Sequence, residues 1–86
     1  MEEYYLAVFK SRTQTLRFYD KLKQKRTNVF IINTPNKAGL GCGLSVKFFI
    51  EDLNCVKSLL KLENYYSFAG LFCALGKGNT LILRPV

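Results

Sequence analysis

The apolar residues of this chain switch between a two-residue and a helical period along its 86 positions, and the order of those switches most constrains the fold. Glu3 to Phe9 reads EYYLAVF, aromatic, β-preferring and too short for a helix, so it predicts a first strand. At Ser11 the pattern changes. Ser11 and Gln14 form the S-x-x-Q spacing of a capping box, in which Ser11 accepts from the amide of the third helical residue and Gln14 reaches back. Thr15, Leu16, Tyr19 and Leu22 then recur at helical spacing with Phe18 beside them, predicting an amphipathic helix from about Arg12 to Lys25. Asn28 to Asn33 predicts a second strand, apolar on both faces through Val29, Phe30, Ile31 and Ile32. Thr34-Pro35-Asn36 ends it, because proline lacks the ladder donor and disfavours helix at Thr34.

Leu44 to Ile50 predicts a third strand, alternating apolar and polar as far as Phe48. Glu51-Asp52 opens a second helix with Asp52 as N-cap, and Leu53, Val56, Leu59, Leu60 and Leu62 form its core stripe as far as a stop at Asn64. Ser67 to Leu75 predicts a fourth strand, Gly76-Lys77-Gly78-Asn79 a turn, and Thr80 to Leu83 a fifth strand paired with the fourth or crossing to a partner chain. The order strand, helix, strand, strand, helix, strand is the split β-α-β of an α+β, ferredoxin-like fold: an antiparallel sheet carrying two helices on one face, with an extra C-terminal strand. The expected organisation is one domain over 1–86, with its core over about 3–74 and a C-terminal hairpin over 75–86.

Composition narrows the chemistry. Thirteen Lys and Arg against six Asp and Glu give a formal charge of +7, which attracts anions without choosing among nucleic acid, an acidic protein and a small oxyanion. The chain has no histidine, so it cannot build a Ser-His or Cys-His couple from its own residues and lacks the commonest zinc ligand. Three cysteines, Cys42, Cys55 and Cys73, are odd in number and without C-x-x-C spacing, which argues against a disulfide framework and a metal site alike. No run approaches the length of a membrane helix, and Glu2 and Glu3 stand where a signal peptide carries positive charge, so the expected compartment is the cytoplasm with no membrane association.

The stretch Thr34-Pro35-Asn36-Lys37-Ala38-Gly39-Leu40-Gly41-Cys42-Gly43 holds the candidate reactive atom, the Cys42 sulfur. Cysteine reacts as thiolate, which positive charge and amide donors favour. Gly41 and Gly43 let the backbone turn around Cys42 so that amides can face the sulfur, Lys37 lies in the same loop, and Lys10 and Arg12 follow the first strand. The same cysteine also reads as a small residue that fits a tight loop. Cys55 beside the second helix stripe and Cys73 in the fourth strand read as core residues. Gly76-Lys77-Gly78 lacks the spacing of a phosphate loop and no helix follows it. The basic run Lys21, Lys23, Lys25 and Arg26 suits the negative end of a helix and has no aromatic interleaved for single-strand binding.

Cys42-Gly43-Leu44-Ser45-Val46-Lys47-Phe48, with Thr34-Pro35 before it, Glu51-Asp52-Leu53 after it and an EYYL first strand, resembles the DUF3343 family of selenium or sulfur carrier-like proteins over roughly Glu3 to Leu71. The resemblance implies that Cys42 holds a persulfide or selenopersulfide for transfer, with Gly41, Gly43, Lys37, Thr34 and Pro35 as its binding surroundings. It implies donor and acceptor proteins as partners, no metal or organic cofactor, and a carrier rather than a catalyst with turnover of its own. Two other readings stand beside it. One is a basic ferredoxin-like module whose strand aromatics Tyr5, Phe48 and Phe72 stack on nucleic-acid bases. The other is an assembly subunit, a homodimer included, that pairs through an exposed sheet edge or through Thr80 to Leu83.

Overall fold

A computed structural model describes residues 2–35, 42–78 and 80–86. The expectations placed on Asn36, Lys37, Gly41 and Asn79 lie outside the described residues. Five strands and two helices follow in the order β1 (Glu2–Phe9), α1 (Arg12–Gln24), β2 (Phe30–Asn33), β3 (Leu44–Phe48), α2 (Leu53–Leu62), β4 (Phe68–Lys77) and β5 (Thr80–Pro85), with a 3₁₀ turn at Ile50–Asp52 leading into α2. The strands form one sheet of spatial order β2-β3-β1-β4-β5, antiparallel at every pairing. The first four strands and two helices have the ferredoxin-like arrangement, and β5 extends the sheet beyond β4.

Register determines which residues face the helices. Tyr5 lies opposite Phe48 and Ala7 opposite Val46, which in turn faces Ile31 of β2. This face packs against Phe18 and Leu22 of α1 and Val56 and Leu59 of α2, in a cluster closed by Phe9 and Tyr65. Phe9, Phe18 and Tyr65 meet through tilted and edge-on rings with centroids 5.0 to 5.5 Å apart, an arrangement that the ring quadrupoles favour. Leu6, Val8 and Ala74 alternate onto the opposite face and are also fully buried.

Several local details differ from the sequence expectations. Ser11 Oγ accepts from Gln14 N at 3.2 Å, but the Gln14 side chain completes no capping box. Its Oε1 accepts from the backbone N and hydroxyl of Ser67 instead, tying the start of α1 to the approach to β4. The buried stripe of α1 is Gln14, Thr15, Phe18 and Leu22; Leu16 is turned outward, because a helix passing over a twisted sheet buries the residues nearest the strands whatever its most apolar side. Phe30 is 43% exposed, since β2 is an edge strand and not the doubly buried strand its composition suggests. Asp52 caps no helical amide and accepts from Asn28 N at 3.1 Å. Leu62, at the C-terminal end of α2, is 77% exposed and stands outside the core stripe. Gly76 and Lys77 belong to β4, so that Lys77 pairs with Thr80 and the turn shortens to two residues, with Gly78 at φ 62°.

The end of α1 has a Schellman closure. Thr27 N donates to Leu22 O and Arg26 N to Lys23 O, with Arg26 in the left-handed region at φ 62°. Glycine usually occupies that position. Arg26 accepts the strain so that the chain can turn back toward β2.

Candidate functional site

Cys42 is half-buried at the point where the chain enters β3. Its backbone is held from two sides. Cys42 N donates to Phe9 O at 3.1 Å, carrying the β1–β3 ladder past its last paired residues, and Thr34 N donates to Gly43 O at 2.8 Å across the neck of the loop. Gly43 has φ 96°, a conformation that side-chain-bearing residues rarely adopt, although among the described residues a Cβ there would meet nothing within 4 Å. Glycine is therefore required at this neck by backbone conformation and not by crowding.

Among the described residues, two groups meet the sulfur. Thr15 Oγ1 lies 3.6 Å from Cys42 Sγ, and Leu44 O lies 3.8 Å from it. Thr15 is the fourth residue of α1 after the Ser11 cap, so the sulfur sits beside the first turn of that helix, which contains no acidic residue. The dipole at a helix start favours negative charge, and Arg12 opens the same turn.

The residues singled out by sequence do not all converge on the sulfur. Among the described residues, the partners of Sγ are a hydroxyl and a carbonyl. The Cys42 amide is spent on Phe9, which is what anchors the residue to the sheet. Thr34 acts on the loop neck: besides its backbone bond to Gly43, its hydroxyl lies 2.6 Å from the buried Ser45 hydroxyl. Pro35 follows it, half-buried. Lys10 is exposed next to Phe9, the strand end that holds Cys42, and Arg12 is exposed on α1. Lys37 and Gly41 lie outside the described residues. Thr15 had no place in the sequence argument beyond the helical stripe; a hydroxyl within an otherwise apolar buried row was the available signal.

The other two thiols have different surroundings. Cys55 on α2 is half-buried and packs against the core cluster. Cys73 lies opposite Tyr5 in the β1–β4 register. Burial, and after it the neighbouring Glu3 carboxylate, push the Cys73 thiol above its ordinary value.

Comparison with known proteins is specific. The family model described as "Putative Se/S carrier protein-like" matches residues 4–72. The chain belongs to this Se/S carrier-like family. The matched segment spans Cys42 and Cys55 and stops short of Cys73 and β5. No curated protein and no solved structure matches the chain. Among the described residues of this family member, no group of three or more His, Cys, Asp or Glu is placed to hold a metal ion, and no helix is long and apolar enough to cross a membrane.

The structure also locates the aromatics of the nucleic-acid reading. Tyr5 and Phe48 stack on each other with centroids 5.6 Å apart on the helix-covered face, where Phe48 is fully buried. Phe48 is a core residue, and Tyr5 is half-buried against the core cluster. Phe72 lies opposite Leu6, on the other face.

Proposed function

We propose that the protein relays sulfur or selenium, with Cys42 as the atom-carrying thiol. The match to the Se/S carrier-like family over residues 4–72 carries this reading. Supporting it, Cys42 is anchored by backbone bonds at a loop neck beside a helix start, Cys55 packs against the core, and Cys73 lies beyond the matched segment.

In the proposed step the Cys42 thiolate attacks the outer sulfur of a donor protein's persulfide. The new S–S bond forms at Cys42 as the donor S–S bond breaks, and the donor cysteine leaves as thiolate. Cys42 then holds the persulfide, and an acceptor thiolate takes its outer sulfur by the same exchange, returning Cys42 as thiolate. Selenium follows the same route as a selenopersulfide. The exchange is neutral in electrons and calls for no metal or organic cofactor. Its partners are a cytoplasmic donor and acceptor.

Incubation with a cysteine desulfurase and cysteine, followed by mass spectrometry, tests the reading. The expected result is a gain of one sulfur mapped to Cys42 and absent from Cys42→Ser. No gain, or a gain that survives the substitution, overturns it.

A further inference from the structure

The strongest unassigned feature is the buried hydroxyl against the sulfur. A threonine hydroxyl has one hydrogen to give and two lone pairs to receive with. Thr15 Oγ1 gives its hydrogen to Ser11 O at 2.9 Å, which leaves a lone pair facing Cys42 Sγ at 3.6 Å. In that state the thiol is the donor, and its alternative acceptor is Leu44 O at 3.8 Å. In this hydrogen arrangement both contacts of the sulfur among the described residues suit S–H.

Ser11 O has a second partner. Thr15 N donates to it at 3.0 Å, within the regular helical ladder. If the hydroxyl turns about its Cβ–Oγ bond toward the sulfur, the Ser11 carbonyl remains paired and no buried acceptor is orphaned. Both heavy-atom distances are already within bonding range, so only a hydrogen has to move. Thr15 is fully buried, so the bond it makes with the sulfur is not diluted by water at the hydroxyl end. Its β-branched side chain also has restricted rotamers, which keeps Oγ1 aimed. The other buried polar side chain of this turn, Gln14, is occupied by Ser67.

We propose that the Thr15 hydroxyl is a two-way hydrogen-bond switch for Cys42, accepting from the thiol and donating to the thiolate, and is thus a positioning residue of the carrier site. The inference rests on the reading of Cys42 as the carrier thiol for its purpose, though not for its test. When Cys42 ionises, its proton passes to solvent water, the Thr15 hydrogen turns from Ser11 O to Sγ, and Ser11 O keeps the Thr15 amide. A hydrogen bond to a charged acceptor is roughly twice as strong as a neutral one, so the switch favours the nucleophilic form on balance.

The test is the pH–rate profile of iodoacetamide alkylation at each cysteine, read by mass spectrometry in wild type, Thr15→Val and Thr15→Ser. Thr15→Val is expected to slow Cys42 alkylation about tenfold near neutrality. Thr15→Ser restores the wild-type profile, and the Cys55 and Cys73 profiles stay in place in both variants. An unchanged or faster Cys42 reaction in Thr15→Val overturns the proposal. Should Thr15→Val fail to fold, the Thr15 Cβ resonance of the wild-type chain decides: it titrates in step with Cys42 alkylation if the switch operates, and a flat signal overturns it. Alkylation uses no sulfur donor, so absent sulfur loading together with a slowed Thr15→Val reaction removes the relay and leaves the switch standing.

Discussion

Thr15 on the first turn of α1 and Cys42 at the entry to β3 stand 27 residues apart in sequence and 3.6 Å apart in space. The contact exists because Cys42 N bonds to Phe9 O, bringing the loop end alongside the strand that leads into α1. The sulfur is therefore supported by β1, α1 and β3 together, and changes at the loop neck are expected to act on both stability and thiol chemistry.

Gly43 is the first such position. At φ 96° with open space around it, Gly43→Ala incurs backbone strain alone, a cost of about 1–2 kcal/mol. Chemical denaturation is expected to show that loss. The Cys42 alkylation rate should change at the same time, because the Thr34 N to Gly43 O bond that closes the neck is disturbed.

Arg26 offers the opposite sign. It occupies the left-handed position of the Schellman closure of α1, where glycine carries no Cβ penalty. Arg26→Gly is expected to raise stability by about 0.5–1 kcal/mol, measured as a higher denaturation midpoint at unchanged slope. A lower midpoint would show that the side chain makes a contact outweighing the strain.

Tyr65 tests the aromatic core. Its hydroxyl is buried without a hydrogen-bond partner among the described residues, while its ring packs against Phe9 and Phe18. Tyr65→Phe keeps the ring and removes the unpaired group, so thermal denaturation should show a gain of about 1 kcal/mol.

The pH dependence follows from the same groups. Cys73, Tyr5 and Tyr65 all have ionisation pushed upward, first by burial; Glu3 adds to the effect at Cys73 and Tyr5, and Glu63 at Tyr65. Each is neutral in both the folded and unfolded chain near neutrality, so none makes stability pH-dependent there. As pH rises above about 9 the unfolded chain ionises first, and stability falls until the folded groups ionise as well. Denaturation midpoints should decline over this range, and the decline should be shallower in Cys73→Ala. A slope identical to wild type would show that Cys73 ionises alike in both states.

The order of elements was legible because local patterning encodes it. EYYLAVF cannot bury its aromatics as a short helix, Ser11 caps a helix wherever α1 packs, and the Gly76-Lys77-Gly78-Asn79 cluster marks a turn ahead of β5, whose pairing with β4 the structure decided. Cys42 was legible as a candidate for a similar reason, since glycines on both sides and a Thr34-Pro35 break mark a constrained loop in sequence alone.

What surrounds the sulfur was decided only by the tertiary structure. The Cys42 amide is taken by strand pairing once Phe9 O comes within reach, and among the described residues the sulfur meets the Thr15 hydroxyl and the Leu44 carbonyl. Phe30 and Phe48 are both phenylalanines in strands, yet Phe30 pairs with Lys47 on the face away from the helices and Phe48 pairs with Tyr5 beneath them, because register and not composition decides which face a residue takes. Sequence determined which elements form and which cysteine the loop isolates; the docking of α1 across β1 and β3 determined the partners of that cysteine, because hydrogen bonds between residues 27 positions apart depend on packing that no local pattern specifies.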